Sequence, residues 1–190
     1  MSIGFQEILA TALNDGTAVS NTTTRTSLTA AVTGARYTLA GNRLRVGDQM
    51  ELFASGRIST VVTTPGNITL DLAIGATLVF STLAMPLNIV AKTNVMWNLH
   101  AIGTVRVIGT AGNMFWGGEW FSEASILTAI AATGPGPGGQ TVPVSTAPVA
   151  GSNFDTTIAN LLDFNATFSV ANAANSITLH QYRLGLTSRG

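Results

Sequence analysis

The sequence predicts an all-β protein: a single-domain, jelly-roll-like β-sandwich of about eight strands with an N-terminal arm. Three observations predict it. Apolar and polar residues alternate with period two through segments from residue 50 onward, the pattern of strands with one buried face. Gly, Pro, Asn and Ser punctuate those segments at the spacing of turns. Helical periodicity is almost missing from the 190 residues.

In chain order, "IGFQEILATALND" carries Ile3, Ile8, Leu9 and Leu13 at weakly helical spacing, so residues 1–16 read as a short helix or an arm lying on a neighbour. Residues 17–190 form the sandwich domain. "TAVSNTTTRTSL" opens it, rich in the β-branched residues that suit a pleated surface. In "MELFASGRIST", Met50, Leu52, Ala54 and Ile58 share one face, with Glu51, Ser55 and Arg57 on the other. "ISTVVTTPGNITLDLAIG" reads as strand, tight turn, strand. Pro65 and Gly66 fit the central positions of a type II turn, and Ile68, Leu70, Leu72 and Ile74 point to the core. "TLVF" adds a short strand.

The longest strand is "TNVMWNLHAIGTVRVIG". Val95, Trp97, Leu99, Ala101, Val105 and Val107 lie on one face, and Asn98, His100, Thr104 and Arg106 on the other. Gly103 in its middle predicts a bulge or bend. "NMFWGGEWF" follows, with Met114, Trp116 and Trp120 opposed to Phe115, Glu119 and Phe121. Residues 133–153 hold a Gly-Pro cluster and read as an exposed loop or a crossing segment between sheets. "LLDFNATFSV" and "SITLHQYRLGL" supply the last two strands, joined by "ANAAN". Uneven strand lengths and the long loop favour a jelly roll over an up-and-down barrel.

Charged residues are 9% of the chain, nine basic and nine acidic, against about 25% in an ordinary soluble protein. So uncharged a surface predicts burial against other subunits. The cations are scattered, which argues against a nucleic-acid partner, since counterion release needs a patch of them. There is no cysteine. No apolar run reaches the roughly 18 residues of a membrane-spanning helix, and the N-terminus lacks the basic and apolar regions of a secretory signal.

No catalytic, cofactor-binding or metal site is predicted. His100 and His180 lack carboxylates within four residues and read as ordinary strand histidines; a shared His100–His180 site across a trimer axis has no support in the sequence. Glu119 and Glu123 are the one pair of acids to consider for glycoside hydrolysis. Trp116 and Trp120 suit a sugar platform or, more ordinarily, a core or subunit interface. "GPGPGG" lacks the Lys-Ser/Thr of a phosphate loop, and the sequons at Asn21, Asn67 and Asn165 read as chance matches in an Asn/Thr-rich chain. The chain reads as a non-enzyme with no cofactor.

The segments "SGRISTVVTTPGNITLDLAIGATLVF", "AKTNVMWNLHAIGTVRVIG" and "NSITLHQYRL" resemble a family of small structural proteins of tailed bacteriophages, over about Thr17 to Leu184. The chain departs from that pattern in lacking extra Gly-rich length between Gly109 and Met114. The resemblance implies a jelly-roll virion protein on the capsid surface, assembled in the host cytoplasm. It implies a homotrimeric decoration, or cement, protein that binds the major capsid protein at threefold positions; the charge pattern and the lack of a long apolar run add the expectation of no nucleic-acid or membrane partner. The alternative expectation is a tail or baseplate protein that recognises host carbohydrate through Trp116, Trp120 and the 133–153 loop.

Overall fold

The structure is a computed structural model that describes residues 5–126, 138–144, 146, 151 and 153–188. Those residues contain no helix. They form thirteen strands: β1 Phe5–Thr11, β2 Val19–Ser20, β3 Thr26–Ser27, β4 Tyr37–Leu39, β5 Gln49–Thr60, β6 Asn67–Ile74 and β7 Thr77–Ser81, then β8 Met85–Pro86, β9 Lys92–Val107, β10 Asn113–Ser122, β11 Gly138–Val142, β12 Asn160–Phe168 and β13 Ser176–Ser188. Beyond the eight or so strands expected, the surplus is β1, β11 and several elements of two or three residues.

Two antiparallel sheets result. The larger runs β1-β13-β5-β9-β10-β11, with β2 also on β13; the smaller runs β3-β12-β6-β7, with β4 on β12 and β8 on β6. Consecutive strands β5 and β6, and likewise β12 and β13, lie in different sheets. That order excludes an up-and-down barrel, in which sequence neighbours pair.

The core follows from the alternation. Met50, Leu52, Ala54 and Ile58 of β5 and Trp97, Leu99, Ala101 and Val105 of β9 are buried, as are Ile68, Leu70, Leu72 and Ile74 of β6. Leu162, Phe164, Ala166 and Phe168 of β12 are buried with them. The Trp97 and Trp120 rings stack at 5.4 Å between centroids, and Phe164 lies 6.0 Å from Tyr182. Val107, expected inward, is exposed at the strand end. Each large aliphatic or aromatic side chain buried this way contributes about 1.5–3 kcal/mol.

Four expectations change. Phe5–Thr11 is a strand paired with β13, not a helix, and it lies on its own sheet. Residues 58–75 are not a hairpin, because β5 and β6 belong to different sheets and residues 61–66 cross between them. Gly66 has the positive φ (75°) that the turn needs, but the crossing is held by Asn175. That fully buried side chain accepts from Val61 N–H (2.9 Å) and donates to the Pro65 carbonyl (3.0 Å). Gly103 is not a bulge; it pairs in register with Trp116, and a Cβ there would stand 2.2 Å from the indole. Within the 133–153 loop, Gly138–Val142 is an edge strand on β10, while much of the remaining loop lies outside the described residues.

Candidate functional site

The two sheets treat their outer faces differently. On the smaller sheet, Asp71 and Asp163 point away from the core, and residues 25–36 close over them. Arg25 grips buried Asp71 through Nε, 2.9 and 3.0 Å from the two carboxylate oxygens, an arrangement that raises the guanidinium pKa despite partial burial. Asp163 is half-buried, which alone would raise its pKa. Ser27 Oγ (2.5 Å), Thr29 Oγ1 (2.6 Å) and Arg36 (3.0 Å) all donate to it and bring the carboxyl below its ordinary value. Asn165 donates to the Asp163 carbonyl and to Asp71. A face covered this way is a structural seal.

Among the described residues nothing closes over the outer face of the larger sheet. Ile8 (62% exposed), Met96 (61%), Phe121 (49%) and Ile102 (43%) project from it, and Phe53 and Phe115 are partly buried beside them. Arg106 lies 5.5 Å from the Phe115 ring centre. A sheet whose second face meets water normally alternates to polar residues there, and apolar side chains collected on one face mark an interaction surface.

Register places this face's polar groups. One row crosses six strands: Thr141 of β11, Glu119 of β10, His100 of β9, Phe53 of β5, Arg183 of β13 and Thr11 of β1. One row along the strands sits Glu51, which takes His100 Nε2 at 2.9 Å with one oxygen and Arg183 at 2.9 Å with the other. Glu119 forms no ion pair among the described residues. Glu51 is flanked in its own row by Gly185 and Ile102, and Ile102 by Gly117. A shallow groove of about 530 Å³, lined by Val46, Gln49, Thr104, Arg106 and Thr187 among others, borders the same face.

The residues weighed from the sequence are dispersed. His100 pairs with Glu51, and His180 with Asp15 (2.8 Å); both acids are distant in sequence, so a search near each histidine misses them. Among the described residues no group of three or more His, Asp or Glu gathers to hold a metal. Glu119 lies on the open face opposite His100, whereas Glu123 sits in the turn after β10 and pairs with Lys92 at 3.7 Å. Trp116 and Trp120 are buried, the first against Phe80 and the second bonded through Nε1 to Ser125 Oγ at 3.0 Å. Neither presents a ring to a sugar, which corrects the platform expectation: the β10 alternation turns both inward. Asn165 is buried and hydrogen-bonded, so its sequon is closed to modification. The Glu51–His100–Arg183 set was missed because strand register alone assembles it. Scanned against family models and searched against curated proteins, the chain finds no match.

Proposed function

We propose that this chain is a virion structural protein of a tailed bacteriophage, a homotrimeric decoration protein that binds the major capsid protein at threefold positions and stabilises the head. The observation that carries the reading is the outer face of the larger sheet: broad, with Ile8, Met96, Phe121 and Ile102 exposed among polar and charged side chains, on a body whose other outer face is covered by its own chain. The resemblance of three segments between Thr17 and Leu184 to small phage structural proteins supplies the setting.

The strand order supports a jelly roll as the finer description. Through β1, β3, β5, β6, β7, β9, β12 and β13 the chain passes larger, smaller, larger, smaller, smaller, larger, smaller, larger. That alternation is consistent with the double Greek key of an eight-stranded jelly roll, with β10 and β11 as additions to the larger sheet.

The role is mechanical, requires no catalytic group or cofactor, and takes protein partners rather than nucleic acid or membrane. Many weak contacts repeated around a threefold position act together, because each contact made raises the effective concentration of the next. The test adds the purified chain to heads stripped of their decoration protein. Saturable binding, three copies per threefold position, and a raised temperature of head rupture are expected. No binding to intact heads contradicts the reading.

A further inference from the structure

We propose that the outer face of the larger sheet binds a second copy of this chain, about a twofold axis that runs along the strands between β5 and β9. The contact uses the face that carries the reading above, so it describes the chain free of the capsid, and it does not depend on that reading.

The face matches itself about that axis in its charges, with Glu51 against Ile102 as the exception. A twofold lying in the interface and parallel to the strands sets each residue against the one equally far across the row. In the row Thr141–Glu119–His100–Phe53–Arg183–Thr11, Glu119 of one copy meets Arg183 of the other, twice. His100 meets Phe53, ring against ring, and Thr141 meets Thr11. In the adjoining row Gly117 meets Gly185, two positions without side chains that let the sheets approach. At the next row Phe115 meets Thr187.

A twofold perpendicular to the strands and running along that row fails on the same residues, since it sets Glu119 against Glu119 and Arg183 against Arg183. Like charges across an interface are strongly disfavoured, whereas opposite charges fix register. An isologous contact demands this self-matching of one patch. The size is adequate. Six strands about 4.8 Å apart and five outward rows about 6.8 Å apart project to roughly 650 Å² per copy, near the ~800 Å² per partner of a standard interface.

Glu119 makes no ion pair among the described residues, so its reversal removes no charge pairing seen within the chain. The experiment measures mass in solution across concentration, without capsid, for the wild type, Glu119→Arg, Arg183→Glu and the double variant, with circular dichroism to verify folding. A two-copy association step is expected in the wild type. Either single reversal weakens it roughly a hundredfold, and the double reversal restores it. Should Arg183→Glu, which also opposes Glu51, lose the fold, Glu119→Arg and Glu119→Gln decide the matter. Arg must then weaken association more than Gln does, and equal association of both with wild type overturns the proposal. A wild type with no two-copy step at any concentration, or a step unmoved by charge reversal, also overturns it. A trimer with no two-copy step does the same and leaves the virion reading standing.

Discussion

Gly103 and Trp116 face each other across β9 and β10, and the Trp116 indole fills the space where a Gly103 side chain would stand, with Cε2 2.2 Å from the position of a Cβ. The contact seats one wall of the core, because Trp116 packs in turn on Phe80 at 5.5 Å.

Gly103→Ala therefore forces either the indole or the strand to move. Overpacking of this kind costs roughly 1–3 kcal/mol, and more where the neighbour is rigid. Chemical denaturation followed by tryptophan fluorescence should show a lowered midpoint and an emission shift to the red as Trp116 becomes wetter.

Trp120 is wholly buried against Trp97, with its ring nitrogen bonded to Ser125. Trp120→Ala should cost about 3–5 kcal/mol. Its signature is lost stability. Specific loss of sugar binding in a variant of unchanged stability would contradict the buried placement.

Asn175 ties the crossing segment between the sheets by accepting from Val61 N–H and donating to the carbonyls of Pro65 and Val170. Asn175→Leu leaves those backbone groups unpaired in a buried site, each worth about 1–3 kcal/mol. A total loss of about 3 kcal/mol is expected in urea unfolding, and hydrogen exchange at Val61 should accelerate more than at strand centres.

Asp163 carries the pH prediction. Its folded pKa is depressed: burial pushes it up, but the hydrogen bonds from Ser27 and Thr29 and the charge of Arg36 outweigh that. A depressed carboxyl contributes stability that is present above its unfolded pKa of about 3.9 and is lost as pH falls through the lower folded value. The melting temperature should drop below about pH 4, and Asp163→Asn should flatten that drop while lowering stability at pH 7.

The sequence made the central strands legible because their inward residues repeat every second position. Met50 to Ile58, Trp97 to Val105 and Leu162 to Phe168 each keep that period on one buried face. β1 escaped because a register shift between Ile8 and Ala10 buries Leu9 and Ala10 together, breaking the period. β11 hid in a Gly-rich stretch. Gly139 lies opposite Phe121, whose ring occupies the place of a Cβ, so the glycine is a fit to a neighbour and not only a loop signal.

The crossing at 61–66 looked like a hairpin because Pro65-Gly66 serves a tight turn in either setting, and only Asn175, over a hundred residues away, distinguishes them. The open face was hidden for a similar reason. Glu119, His100, Phe53 and Arg183 become neighbours through the pairing of four strands, which no local pattern announces.

Imaging of the assembled phage particle at a resolution that resolves single subunits tests the central claim most directly. The account predicts density for this chain on the outside of the head, as trimers at the threefold positions in contact with the major capsid protein. Density confined to the tail or baseplate, or none on the particle, would contradict it.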